Sequence, residues 1–154
     1  MLEIIKHPNE ILRRRSQTID LEQIKQADFK KLLKEMSETM LKKDGAGLAA
    51  PQIGQNIRLI VINKDGQGLA MINPELTKKS WAKESDLEGC LSVLDEKGEI
   101  YYKPVLRHKK VSCSYFDAQG KRKKMQAEGL LARVLQHEID HLNGILFIDR
   151  LEEK

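Results

Sequence analysis

The chain has 154 residues, a length that suits one domain able to bury its own core. Its composition is 40% hydrophobic and 32% charged, and no apolar run approaches the roughly 20 residues of a membrane-spanning helix. The net charge of +4 is spread along the chain and indicates a solvated, mildly basic surface. Two cysteines are too few for a disulfide framework and the N-terminus lacks the pattern of a secretion signal, so we expect a cytoplasmic protein.

The first third of the chain is predicted to be mostly helical. A turn at residues 7–10 starts a short helix that runs to about Arg14. Asp20 and Gln23 have the spacing of a capping box, and apolar residues then recur at helical intervals up to Lys43. The glycines of residues 44–47 end this helix in a loop.

Two hairpins are predicted in the middle of the chain. Residues 58–62 and 69–72 are short apolar segments on either side of a Lys-Asp-Gly turn. Residues 111–116 and 123–127 flank a second turn with the sequence Asp-Ala-Gln-Gly.

A final helix is predicted over residues 130–142, where apolar side chains fall on adjacent helical faces until Asn143 and Gly144 end it. The order of a helix, several strands and a last helix predicts an α+β fold. We expect antiparallel strands packed around the C-terminal helix, with residues 1–154 forming a single domain.

This last helix carries the sequence His137-Glu138-Ile139-Asp140-His141. Positions i and i+4 of a helix share one face, so His137 and His141 can bind the same metal ion. Glu138 lies beside the ion, where its carboxylate can accept a proton from a metal-activated water molecule. Two imidazoles do not complete a metal site, so the third ligand decides the chemistry.

Four other residues are candidates for the third ligand. His7 precedes a proline turn and His108 lies in a Lys/Arg-rich stretch, so both are expected at the surface. Cys113 occupies an alternating position of a predicted strand, which is typical of a partly buried thiol without a ligand role. Cys90 is the better candidate, because the neighbouring Gly89 lets the backbone approach an ion closely.

A glycine-rich segment at residues 45–54 is the third notable pattern. It lacks the preceding strand and following helix of a dinucleotide-binding loop, and by itself it equally suits a tight loop packed against a sheet. Its one polar side chain, Gln52, could donate a hydrogen bond to a developing oxyanion.

Together these segments resemble the peptide deformylase family. The family is marked by the motifs Gly-x-Gly-x-Ala-Ala-x-Gln, Glu-Gly-Cys-Leu-Ser and Gln-His-Glu-x-Asp-His-Leu, which stand here in the family's order at residues 45–52, 88–92 and 136–142. Residues 5–8 and 71–74 resemble the family's opening and the end of its central strand. The resemblance therefore covers nearly the whole chain, and three ordered motifs are far more specific than the helix motif alone.

The resemblance implies that the chain removes the N-formyl group from the initiator methionine of nascent polypeptides and releases formate. It implies Cys90, His137 and His141 as ligands of one divalent ion. Fe²⁺ is the implied native ion, and Zn²⁺, Ni²⁺ or Co²⁺ are able to replace it, because one thiolate and two imidazoles suit all of them.

Three catalytic roles are also implied by the resemblance. Glu138 acts as the general base and then as the acid that protonates the leaving amine. Gln52 and the backbone N–H of Leu91 stabilise the oxyanion, where loss of one donor typically costs about 10²–10³ in rate.

The implied substrate contacts are less sharply defined. The family binds peptide as an added strand, with main-chain bonds near Gly47. Leu130 and Val134 are predicted to line the pocket for the methionine side chain, although ordinary helix core is an almost equal alternative. Arg107 is assigned as the family's substrate-side arginine.

The sequence departs from the family pattern in two places. Leu94 stands where a proline is common, and residues 94–99 make this segment longer than usual, so we expect a longer hairpin beside the cleft that alters which peptides enter. The chain also ends soon after the motif helix, which leaves no room for a long further helix of the kind implied in ribosome docking. The sequence therefore gives no support for ribosome docking by that route, although proximity to the ribosome is compatible with it. Separately, we expect a monomer.

Three alternatives remain from the sequence. A metallopeptidase shares the motif helix, but its third ligand is usually a downstream His or Glu, and no His follows His141. An RNA- or ribosome-associated module with a structural metal normally needs four protein ligands, and three are evident. A deformylase-like protein with lost or altered activity is compatible with the sequence if residues 94–99 block the cleft.

Overall fold

Two antiparallel sheets enclose the C-terminal helix in the computed structural model, which describes residues 1–152. A five-stranded sheet has the order β1-β2-β3-β6-β7, and a two-stranded sheet pairs β4 with β5. The bounds are β1 (Gly47–Ala49), β2 (Leu59–Lys64), β3 (Gln67–Lys79), β4 (Lys83–Glu88), β5 (Lys103–His108), β6 (Lys110–Phe116), β7 (Arg122–Glu128), α1 (Ala27–Lys42) and α2 (Gly129–Leu142). The α+β fold predicted from the sequence is confirmed.

The two helices pack on opposite faces of the large sheet, as the alternating side chains of β2 show. Successive strand residues point to opposite faces, so Leu59 and Val61 pack with the α1 side chains while Ile60 and Ile62 pack with those of α2. All four are fully buried. Helix α2 also contacts β5, so it lies between the large and the small sheet.

The end of α2 is fixed by its surroundings. Asn143 leaves the helical conformation and Gly144 has a φ of 74°, the left-handed region that favours glycine. Arg58 donates a hydrogen bond of 2.9 Å to the Leu142 carbonyl, which the end of the helix leaves without a helical partner. The last turn of α2, which carries His141, is therefore held in place.

The predicted helix that ends at Lys43 begins later than expected. Leu21–Lys25 is a 3₁₀ helix, because the Asp20 side chain accepts a hydrogen bond from the N–H of Glu22 and closes a tight turn. Gln26 is extended, with φ −76° and ψ 143°, and α1 begins only after it. The short helix predicted to run to Arg14 is likewise a 3₁₀ turn, Glu10–Arg13.

Both predicted hairpins are present. Asp65 and Gly66 join β2 to β3 with φ values of 54° and 83°, as a type I′ turn requires at both central residues. Strand β3 is longer than predicted and pairs with β6 through two register shifts. Strands β1, β4 and β5 were not predicted, since β4 has a single apolar residue, Leu87, and therefore no alternating pattern.

The C-terminal residues within the described range extend the small sheet. Leu151 bridges Val105, and the Glu152 N–H donates to the Pro104 carbonyl at 3.0 Å. The expectation of no further long helix rests partly on residues 153 and 154, which lie outside the described residues. Within residues 1–152, no helix is long and apolar enough to cross a membrane.

Candidate metal centre

Three potential metal ligands converge between the two sheets. Cys90 follows the end of β4, and His137 and His141 lie one turn apart on α2. Their ligand atoms all lie within 4.8 Å of one another. The Cys90 Sγ and His141 Nε2 atoms are 3.4 Å apart. A sulfur and a nitrogen that bind the same tetrahedral zinc ion are separated by roughly 3.6 Å, so the two distances agree closely. One thiol and two imidazoles at this spacing fit a divalent ion such as Fe²⁺ or Zn²⁺.

The orientation of His137 is set by Glu88. The His137 Nδ1 atom lies 2.8 Å from Glu88 Oε1, and since an ionised carboxylate only accepts, Nδ1 carries the proton. Burial lowers the pKa of His137, but the hydrogen bonds with Cys90 and Glu88 outweigh it and raise the pKa to about 10, so a metal ion must displace the proton from the other ring nitrogen to bind there. A carboxylate behind a ligating histidine is the usual arrangement in metal sites, where it fixes the ring and raises its basicity.

Glu88 is buried and is held as an anion by two arginines. Its Oε2 atom accepts hydrogen bonds of 2.8 Å from Arg107 Nε and from an Arg133 terminal nitrogen, and its Oε1 atom accepts one of 2.9 Å from Arg107. Burial opposes ionisation, but the hydrogen bonds from Arg107 and His137 hold the pKa of Glu88 well below its usual range.

The structure corrects the assignment of Arg107 to the substrate side. Its side chain is 4% exposed and, within residues 1–152, is not part of the cleft wall. Alternation along β5 directs it inward, as it does the buried Val105, and it bridges Glu88 to Asp140 at 2.6 Å. Asp140 in turn accepts hydrogen bonds of 2.5 and 3.1 Å from Arg150. Arg107 therefore supports the metal ligands from behind.

Glu138 faces the cleft beside the potential ligands. It is buried, and within the described part of the chain its Oε1 atom has no hydrogen-bond partner. Burial raises the pKa of Glu138 to about 7, although the nearby His137 opposes this shift. A Cβ atom on Gly47 would lie 2.7 Å from the Oε2 atom of Glu138, so a larger residue at position 47 must displace this carboxylate.

Gln52 and Leu91 lie on the other side of the cluster. Gln52 is buried, its Oε1 atom accepts a 2.9 Å hydrogen bond from the Ala49 N–H, and its Nε2 atom donates to Ser92 Oγ at 3.1 Å. The same Nε2 atom is 3.6 Å from Cys90 Sγ. Leu91 lines the cleft, and its backbone N–H has no hydrogen-bond partner within residues 1–152. The two predicted oxyanion donors thus lie next to the thiol.

The predicted methionine-pocket residues also line the cleft. Leu130 is 73% exposed, so the helix-core alternative does not hold for it. Val134 is half-buried, packs against the core between α2 and the large sheet, and lines the cleft as well.

Residues 94–99 do not block this cleft. The Asp95 side chain accepts hydrogen bonds of 2.8 and 2.9 Å from the N–H groups of Lys97 and Glu99, which closes the segment into a compact turn. The turn borders a separate depression. The residues that follow it, Ile100 and Tyr102, do line the cleft.

The remaining His and Cys residues lie apart from the cluster, as predicted. His7 is exposed, and the His108 Nδ1 atom is 2.7 Å from the Ser80 carbonyl oxygen. Cys113 is buried in β6, and burial raises the pKa of its thiol to about 11.

Comparison with known proteins matches the whole chain to one family. A sequence model of the polypeptide deformylase family covers residues 1–154. A peptide deformylase of Symbiobacterium thermophilum is 44% identical over 97% of this chain, which spans just under two thirds (66%) of that relative. One from Wolinella succinogenes is 44% identical over 98% of this chain and 88% of its own length.

Solved structures agree with this match. The crystal structure of a peptide deformylase from Thermotoga maritima has a TM-score of 0.90 and 35% identity, with 99% of each chain covered. An actinonin-bound class I type b peptide deformylase from Acinetobacter baumannii has a TM-score of 0.90 and 32% identity over the same share of each chain. The chain belongs to the polypeptide deformylase family. As a deformylase it is a hydrolase of a metal-dependent family, and the three-ligand cluster is its candidate metal site.

Sequence reasoning about this deformylase missed the residues behind the ligands. Arg133 donates to the Glu84 carbonyl at 2.9 Å, to the Val105 carbonyl at 2.8 Å and to Glu88, and so joins α2 to both strands of the small sheet. The pairing of Asp140 with Arg150 was missed as well. The sequence offered one signal for the role of Arg133. It is a charged residue at an inward position of the helix, four residues before His137, and buried charges are normally paired.

Gly47→Ala is expected to lower turnover without removing the metal. The new methyl group overlaps the Glu138 carboxylate and displaces it, so we expect kcat to fall by about 10²-fold or more. Formate release and metal content are measured on the same sample. Gly45→Ala is the control, since a Cβ there meets its nearest atoms at 3.5 Å, an ordinary contact, and a much smaller effect is expected. Equal effects of both changes contradict the steric argument.

Glu88→Gln is expected to weaken metal binding. The amide removes the anion that orients His137 and neutralises Arg107 and Arg133, so we expect metal affinity to fall by about 10–100-fold. We also expect a loss of stability on the order of 3 kcal/mol. Competition with a chelator and thermal unfolding measure the two effects. Glu84→Gln, on the same strand with an exposed side chain, is the control. Unchanged affinity in Glu88→Gln excludes the orienting role.

Proposed function

We propose that this chain hydrolyses the N-formyl group of the initiator methionine in nascent polypeptides and releases formate, the reaction of the family to which it belongs. One observation carries the proposal. A thiol and two imidazoles converge beside Glu138, whose buried carboxylate has an oxygen without a partner in the described residues, and the cluster opens into a cleft. This arrangement provides a metal-binding group, a proton acceptor and room for a substrate in one place.

The mechanism needs an activated water molecule. Cys90, His137 and His141 would hold a divalent ion, which would lower the pKa of a bound water molecule to roughly 7 and polarise the formyl oxygen. Glu138 accepts the proton of the attacking water and returns it to the amine that leaves. Burial raises the pKa of Glu138, which makes its carboxylate a better proton acceptor.

Charge on the formyl oxygen is stabilised by Gln52 and Leu91 in this proposal. The Gln52 amide is held by Ala49 and Ser92, so its nitrogen is fixed before substrate arrives. The Leu91 N–H is unpaired within residues 1–152 and faces the same cleft. Donors that are already oriented need no rearrangement as the charge develops, which is the origin of their effect on rate.

The substrate is proposed to bind as an extended strand between the two sheets. Strand β1 forms one edge of the large sheet and β4 one edge of the small sheet. Gly47 and residues 87–89, which border the cleft from these two edges, offer main-chain groups to a peptide. The methionine side chain then lies between Leu130 and Val134 of α2.

Fe²⁺ is proposed as the native ion, although the donor set also accepts Zn²⁺, Ni²⁺ or Co²⁺. We propose that residues 1–154 act as one catalytic domain, as a monomer in the cytoplasm, on N-formylmethionyl peptides or nascent chains. The metallopeptidase alternative is not favoured, because the family match covers the entire chain.

The function is tested by anaerobic purification, metal analysis and a formate-release assay on a formyl-methionyl peptide, with the unformylated peptide as control. We expect about one metal ion per chain and formate from the formylated peptide alone. Cleavage of the peptide bond without formate, or bound metal with neither activity, rules the proposal out. Iron that is lost together with activity in air supports Fe²⁺, because a ferrous ion and the Cys90 thiolate are both open to oxidation.

Glu138→Ala is expected to keep the metal and lose turnover. Removal of the proton acceptor leaves all three ligands in place, so kcat should fall by about 10²–10⁴-fold at unchanged metal content. Glu128→Ala provides the control, since that side chain is 74% exposed at the start of the same helix. Formate release by Glu138→Ala at nearly the native rate removes Glu138 from the mechanism.

A further inference from the structure

The outer face of the small sheet continues into the cleft as an apolar surface. Glu88 points from β4 towards α2, so strand alternation places Leu87 and Gly89 on the opposite, outer face. A Cβ on Gly89 would lie 2.8 Å from the ring of Tyr102 and 3.0 Å from the Ile100 side chain, so both side chains rest on this outer face. Leu87, Ile100 and Tyr102 all line the cleft that contains the metal ligands.

These three side chains are exposed to an extent that is unusual for apolar groups on adjoining segments. The exposed fractions are 59% for Leu87, 38% for Ile100 and 61% for Tyr102. A contiguous exposed apolar surface commonly marks a contact site. Continuity with the candidate metal centre identifies the occupant, because a peptide whose first residue reacts there extends along the cleft that this surface lines.

The geometry of an extended peptide decides which substrate residue meets the surface. Successive side chains of a strand point to opposite sides. When the methionine side chain turns towards Leu130 and Val134 on α2, the side chain of the next residue turns the other way, to the outer face of the small sheet.

We propose that Leu87, Ile100 and Tyr102 form a specificity surface for the residue directly after the formylmethionine, and that this surface prefers branched aliphatic or aromatic side chains. The inference rests on the deformylase activity proposed above. The charges at the cleft rim do not favour a charged side chain at this position of the substrate, since Lys43 and Asp44 there have opposite signs.

The preference is measured with the tripeptides formyl-Met-Xaa-Ala, where Xaa is Leu, Phe, Ser, Glu or Lys. We expect kcat/KM for Leu and Phe to exceed that for the other three by about 5- to 20-fold, because a partly buried apolar side chain gains contact that a polar one does not. Equal kcat/KM values across the series overturn the inference while leaving deformylation established. No formate from any peptide overturns the proposed function itself, and the inference with it.

Variants test whether these residues cause the preference. Leu87→Ser and Tyr102→Ser are each expected to reduce the Leu-to-Ser ratio of kcat/KM towards unity, and both side chains are exposed enough for the fold to tolerate the change. Leu106→Ser is the matched control, since Leu106 is 42% exposed and alternates onto the same outer face without lining the cleft. A ratio that stays at the native value in both test variants, or that falls equally in the control, overturns the inference.

Discussion

The Glu88 carboxylate and the four hydrogen bonds that it accepts hold the two halves of the candidate metal centre together. Glu88 ends β4, two residues before Cys90, and its partner His137 lies on α2. The carboxylate thus connects the strand that supplies the thiol to the helix that supplies the imidazoles. Burial of a carboxylate costs on the order of several kcal/mol, and here Arg107 and Arg133 offset that cost with direct hydrogen bonds.

Arg107 extends this support to the second histidine. It donates to Glu88, which orients His137, and to Asp140, which directly precedes His141. A single guanidinium therefore fixes the helix face at two positions about one turn apart. The planar fork of arginine, with several donors in fixed directions, suits this bridging role in a way that the single ammonium of lysine does not. This explains why a charged residue of β5 is buried.

How much of this could be predicted from the sequence depends on whether the signal is local. His137 and His141 are set by helical spacing alone, and Cys90 by a motif that resembles a known family. The contacts of Arg133 could not be predicted, because its partners Glu84 and Val105 lie on strands whose sequences lack an alternating apolar pattern. The break before α1 was missed for a different reason.

At that break, the helical spacing of apolar residues continues across residues 21–43, but the helical conformation of the backbone is interrupted at Gln26. Ile24 packs into the same core cluster as Phe29 and Leu33, so burial satisfies the helical pattern on both sides of Gln26. Periodicity reports which side chains are buried and not whether the hydrogen-bond ladder between them is unbroken. Only the Asp20 cap, which closes a 3₁₀ turn, distinguishes the two cases.

Successive side chains of β4 point to opposite faces of the small sheet, and the two faces have different surroundings. Its inward residue Glu88 supports the candidate metal ligands, while the outward residue Leu87 lines the cleft. A register slip of one residue would exchange the two faces, so the register must be strongly fixed. The bonds from Arg133 to the carbonyls of Glu84 on β4 and Val105 on β5 provide this restraint. The outer face can therefore change in sequence while the candidate metal ligands stay in place.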